Sequence, residues 1–262
     1  LITTVALLIS LGCSRDSVVE PTGSSADGIG FGYTALTTFV ETFDNPNIEG
    51  NWSYFGNPRN RVEVVEKDGG NPGGFLHATC DGMACLDTYA PQLRTQIEDT
   101  SIFTGNYRAK GVAQLGVDLA TFGPEIVTWL GRPLSLMLRY DGGTPLEGED
   151  DIQVFYVGNV NIPGPNNNFR SFRFKVPSES TVLPDGWKVM YGYNTGDDDA
   201  DWNTVMENVS QVTFFYGDPE YLFMFQQWEL GVDNVSIADV EETLIKAETP
   251  PPCQTVFIVR AQ

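Results

Sequence analysis

The residues under the tightest chemical constraint are two acids. In Phe39-Val40-Glu41-Thr42-Phe43-Asp44, period-two alternation puts Glu41 on the face of Phe39 and Phe43; in Gly231-Val232-Asp233-Asn234-Val235-Ser236-Ile237 it puts Asp233 on the face of Val235 and Ile237. A carboxylate buried alone costs several kcal/mol even after relaxation, so each needs a proton, a basic side chain or a cation. Basic side chains are scarce, 15 Lys and Arg against 35 Asp and Glu. If the first and last strands lie side by side, Glu41 and Asp233 converge, and two carboxylates with backbone carbonyls form the hard oxygen cage that suits Ca2+. The opposing expectation is that either residue lies just beyond its strand, in water.

Other chemistries have thinner support. Glu147 and Glu149 have the i, i+2 spacing of a retaining glycosidase pair, but they sit in Pro145-Leu146-Glu147-Gly148-Glu149-Asp150-Asp151, a charged hairpin loop. The single histidine, His77, excludes a poly-His zinc site and reads as a half-buried, hydrogen-bonded strand residue rather than a general base. Asp197, Asp199 and Asp201 open like an EF-hand, yet Trp202 stands where that loop needs Gly and Asn208 where it needs Glu. They read as an acidic loop capping a helix. No G-x-S-x-G elbow, P-loop or H-E-x-x-H occurs. Aromatic faces that could hold sugar C–H surfaces are Trp52, Tyr54, Trp129, Trp187, Tyr191 and Tyr193, with Asn166, Asn167 and Asn168 as nearby polar groups. The alternative for each ring is the core, the reading preferred for Trp228.

The elements that must position these residues are strands. Leu115, Val117 and Leu119, then Leu134, Leu136, Leu138 and Tyr140, then Phe172, Phe174 and Val176, then Val212, Phe214 and Tyr216 recur at period two. Mixed runs at 61–66, 74–80, 152–157 and 221–228 read as strands covered on both faces. One amphipathic helix is expected behind Asp201 as cap, from Trp202, Val205, Met206 and Val209. The fold class is therefore all-β, an antiparallel two-sheet β-sandwich of jelly-roll type with one short helix. The domain is expected over 36–240. Residues 1–12 read as a truncated signal h-region, 13–35 as a tether, and 241–262 as an acidic, Pro-rich tail with a possible edge strand.

Ser10-Leu11-Gly12-Cys13 resembles the bacterial lipobox, making Cys13 the lipidation site and the address extracytoplasmic; secretion without lipid is the alternative. Membrane contact is then expected only through that anchor. A Cys80–Cys85 disulfide around Asp81-Gly82-Met83-Ala84 suits an oxidising compartment, with free thiols or a metal pair as the other readings. A net charge of -20 argues against nucleic-acid partners.

Beginning with FVETFD..N...GNW, passing through YRAKGVAQLGVDLATF and closing with W.LGVDNVSI, residues 38–238 resemble bacterial extracellular jelly-roll modules of the carbohydrate-binding and laminin-like kind. The resemblance implies a structural calcium held by Glu41 and Asp233 and a non-catalytic surface role, with glycan as the expected ligand. The competing functions are a polysaccharide hydrolase and an adhesive surface protein.

Overall fold

A computed structural model describes residues 32–45, 51–55, 61–80, 90–96, 101–123, 132–143, 150–165, 168–221 and 228–243. In chain order the elements are β1 (Gly32–Glu41), β2 (Ser53–Phe55), β3 (Arg61–Glu66), β4 (Phe75–Cys80), β5 (Gln92–Arg94), α1 (Tyr107–Lys110), β6 (Val112–Gly123), β7 (Pro133–Tyr140), β8 (Ile152–Asn161), β9 (Arg170–Lys175), β10 (Trp187–Val189), α2 (Asp198–Glu207), β11 (Gln211–Phe215) and β12 (Trp228–Thr243). One sheet runs β3-β4-β12-β6-β9, with β1 also paired to β12; the other runs β10-β8-β7-β11-β5-β2. This is the two-sheet antiparallel sandwich that the alternation predicts, and apart from the first residue of β1 and the last of β12 its strands fall within one compact unit, Tyr33–Glu242. β1 starts at Gly32, inside the stretch read as tether.

The inward rows of both sheets share one core. Leu115, Val117 and Leu119 of β6, Leu134, Leu136 and Leu138 of β7, and Leu230 and Val232 of β12 are enclosed there with Phe172, Phe174 and Phe214. Burying each such side chain contributes about 1.5–3 kcal/mol. β6 is enclosed on both faces over 116–121, not one, because Asp118 on its outward row is covered. β3 departs in the opposite sense. At the sheet edge it leaves Val62 57 % and Val64 46 % exposed, so it is covered on one face only.

Of the expected 221–228 strand, Trp228 opens β12, Tyr221 lies in a bend, and 222–227 fall outside the described residues. α2 begins earlier than its apolar spacing suggests. Its N-cap is Asp197, whose side chain accepts the Ala200 N–H, while Asp201 is a buried first-turn residue. The one-turn α1, framed by an Asn106 cap and Gly111 in the left-handed region, is too short for periodicity to reveal. Among the described residues, no helix is long and apolar enough to cross a membrane.

Candidate functional site

The acid on β12 sits where two elements press upon it. The β12–β6 register sets Asp233 directly opposite Asp118, and beside it the β12 backbone breaks register at Asn234, which adopts φ 48°. Like charges opposed across a ladder are destabilising. The 68–74 loop closes over the pair. Asn71 N–H donates to Asp233 Oδ2, Asn234 N–H donates to Asp233 Oδ1 at 2.7 Å, and the amides of Asn71 and Asn234 each donate to Asp118 Oδ2 at 3.0 Å. Asn234 Nδ2 also donates to the Asn71 carbonyl, locking the loop to the strand.

These surroundings split the two carboxyls. Burial pushes Asp233 up to about 6 against the two backbone N–H bonds, with the charges of Asp118 and Asp44 adding to the rise. Burial also acts to raise Asp118, but hydrogen bonds from Ser171 and Asn234, the Arg173 charge and the Asn71 amide outweigh it and hold that carboxyl below its ordinary value. Arg173 Nη1 lies 3.1 Å from Asp118 Oδ1, its stem lying over Gly116, where a Cβ would come within 2.6 Å of Arg173 Cδ. Asp44 is held low by the Gly74 N–H and then by the Thr42 hydroxyl.

Glu41 is buried on β1, the strand beside β12, and its Oε1 accepts the Phe43 N–H at 2.8 Å, with Phe43 at φ 55°. The expected acids therefore lie on adjacent strands, and the structure adds Asp44, Asp118, Asn71 and Asn234 around Asp233. Among the described residues no three His, Cys, Asp or Glu side chains are grouped to hold a metal by themselves. A Cβ on Gly70 would collide with the Gly74 carbonyl oxygen and lie 2.8 Å from Asp233 Oδ2 and 2.9 Å from the Gly73 oxygen, so three oxygens crowd the small volume against the Gly70 Cα. Carboxylate and carbonyl oxygens are hard donors, the type that Ca2+ requires.

That volume gives a first test. Gly70→Ala introduces the colliding methyl with backbone neighbours that cannot rotate away, and a loss of about 1–3 kcal/mol in urea unfolding is expected. An unchanged midpoint would show that the loop has room to spare.

The aromatic candidates separate by burial. Trp52, Tyr54 and Trp187 are core residues and not open platforms: Trp52 packs on Phe103 and Phe214, Tyr54 on Trp228 with its hydroxyl 2.6 Å from that of Tyr216, and Trp187 on Trp202. Large rings fill a sandwich interior more effectively than other side chains, which overrides their position near strand ends. Tyr191 is 95 % exposed and Tyr193 half-buried. Trp129, Asn166, Asn167, Glu147, Glu149, Cys85 and Cys13 lie outside the described residues. Cys80 is buried at the end of β4, and Asn168 is exposed. His77 is the half-buried strand residue expected, 3.0 Å from Glu229 and flanked by Phe75 and Phe122. In the aspartate run Asp197 and Asp199 are exposed, Asp197 capping α2 and Asp199 accepting the Leu183 N–H, while Asp201 is buried and accepts Thr195 N–H and Oγ1–H.

A second site was not legible in the sequence. β9 is the outer strand of its sheet, and β10 pairs with β8 only as far as Tyr156, so β8 runs on past β10. Beside these two strands lies a cleft of about 500 Å³, lined by Tyr156, Phe174 and Trp187 and by Asn159, Lys175 and Asp185. Its rings are fixed by neighbours. Tyr156 stands 5.8 Å from Trp187 and 6.5 Å edge-on to Phe174, and Gly186, at φ 84°, leaves room where a Cβ would sit 2.9 Å from the tyrosine ring. Trp187 thus serves the core with one side and borders the cleft with another.

No protein-family profile and no curated protein matches the sequence. Among solved structures, the chain is similar to an exo-beta-agarase (12 % identity, TM-score 0.41), over 78 % of this chain and 24 % of that one. It is also similar to a CBM27-1 module of Caldicellulosiruptor saccharolyticus solved with mannohexaose (11 % identity, TM-score 0.39), over 76 % and 94 %. A third is the L4b domain of human laminin alpha-2 (11 % identity, TM-score 0.32), over 72 % and 98 %. The chain spans about a quarter of the length of the agarase it matches.

Proposed function

We propose that the domain is a non-catalytic, surface-exposed carbohydrate-binding module stabilised by a structural calcium ion. The observation that carries the binding role is the cleft beside β8, β9 and β10: the half-buried Tyr156 ring on its wall, held in place by the enclosed Phe174 and Trp187, with Asn159, Ser171, Lys175 and Asp185 at hand to meet hydroxyls. Apolar ring faces take the C–H surface of a sugar, and the polar groups around them select among its hydroxyls.

Calcium would be held by the carboxylates of Asp233 and Glu41 with carbonyls of the 68–74 loop, where it would supply the positive charge that an enclosed Asp233 lacks. Export with lipidation at Cys13 and a Cys80–Cys85 bridge belong to the same reading, in keeping with the lipobox-like start and the short cysteine spacing.

A glycan array probed with calcium present tests it, followed by titration of the best hit while tryptophan emission is read, with Trp187→Phe as the control that assigns the change to the cleft. Binding with a shift in emission is expected, weakened about tenfold by combining Asn159→Ala and Asp185→Ala, which removes two hydrogen-bonding groups. Absence of any sugar binding, or cleavage of polysaccharide in its place, would overturn the reading.

A further inference from the structure

We infer that β3 is a pairing edge for a second copy of this chain, set antiparallel so that the β3-β4-β12-β6-β9 sheets of the two copies become continuous. The two ends of that sheet are built differently. At one end β9 exposes Arg170, Ser171, Arg173 and Lys175 and buries Phe172 and Phe174, the charged rim with which edge strands ordinarily resist pairing. At the other end β3 has β4 as its one ladder neighbour among the described residues. It turns Val62 and Val64 outward, on the face of His77 and Gly231, 57 % and 46 % exposed. An unpaired row of backbone N–H and C=O groups flanked by bare β-branched side chains fits another strand.

Two observations identify that strand as the same segment of another copy. The first is charge. In a chain of net charge -20, Arg61-Val62-Glu63-Val64-Val65-Glu66-Lys67 sets Arg61 and Lys67 against Glu63 and Glu66 and sums to zero, so copies that repel elsewhere meet here without a net charge. The second is symmetry. Val62-Glu63-Val64 reads alike in both directions, and a two-fold axis through Glu63 sets Val62 of each copy against Val64 of the other on the outer face, two β-branched cross-strand pairs. The two Glu63 carboxylates face each other on the inner row, but each is already held, by its own Tyr54 N–H at 2.7 Å and its own Arg61 Nε at 2.9 Å. Because β3 and β9 end the sheet on opposite sides, the cleft beside β9 stays open in both copies. On the carbohydrate reading, the pair presents two clefts to one long glycan.

Sedimentation equilibrium of the whole chain tests the pairing, over about a hundredfold range of concentration and from low to high salt. A mass of twice the monomer is expected at the upper concentrations, with association tightening as salt screens the charge on the rest of each copy. Combining Val62→Lys and Val64→Lys, both exposed positions, should return the protein to monomer with its melting temperature unchanged at dilution. The register has its own readout in an equal mixture of Val62→Cys and Val64→Cys chains. A disulfide between the two substituted positions, identified by peptide mass, should form in greater yield than either self-linked product. Monomer under all conditions, association that weakens with salt, a dimer that survives the double lysine substitution, or linkage without preference each overturns the inference. None of these outcomes bears on sugar binding by the single domain.

Discussion

In EDTA near pH 7.5 the melting temperature is expected to fall by about 10–15 °C. A ligand held at roughly a thousand times its Kd stabilises by about 4 kcal/mol, and a domain of this size shifts by about 2–4 °C per kcal/mol. The size of the effect follows from the electrostatics around Asp233, which shares its enclosure with Asp118 and feels Asp44. Its pH dependence has a definite sign. With the folded value at about 6 and the unfolded value at 3.8, metal-free protein holds its proton more tightly when folded. That contribution, about 3 kcal/mol, is fully present below 3.8 and lost as pH rises through 6. Bound calcium would reverse the trend by competing with the proton. The EDTA effect should therefore be large above pH 6 and small near pH 4.5, and Asp233→Ala should abolish it at every pH. A melting temperature indifferent to EDTA at neutral pH would sink the calcium proposal.

Arg139→Met is expected to cost about 3–5 kcal/mol, read as a lowered urea midpoint. Arg139 points outward from β7, between Gln153 of β8 and Gln211 of β11, yet its side chain is 5 % exposed and that of its partner Asp151 is fully enclosed. Removing the guanidinium takes the Arg139 cation away from a carboxylate that water cannot reach. Replacing both residues, Arg139→Met with Asp151→Leu, should recover most of the loss, since an apolar pair leaves no isolated charge. If the double substitution is as damaging as the single one, the cost lies in packing and not in the stranded charge.

Alternation revealed most strands because an inward row of Leu, Val and Phe at every second position has one place to go. The short β2, β5 and β10 carry three residues each, too few to establish a period. Asp233 announced itself by standing in an apolar row. Asp118 did not, since it alternates with Leu115, Val117 and Leu119 and reads as a solvent-facing residue; what covers it is the Asn71 loop and Arg173, which come from elsewhere in the chain. Arg139 misleads in the same way. The loop from Asp68 to Gly74 signals a turn, but its second use, lining an acidic volume, follows from the Gly70 contacts alone. The cleft belongs to no contiguous segment. Tyr156, Lys175 and Trp187 are brought together by sheet order, and Trp187 gives no local sign that it borders open space.

The enclosed hydroxyl pair of Tyr54 and Tyr216, with Tyr107 donating to the Phe103 carbonyl at 2.6 Å, has an optical consequence. Burial holds all three phenols well above their ordinary range, so they stay un-ionised in alkali for as long as the sandwich remains closed. An ultraviolet titration followed in time would register their ionisation as a delayed phase that reports the opening of the interior, an intrinsic clock for unfolding that needs no attached dye.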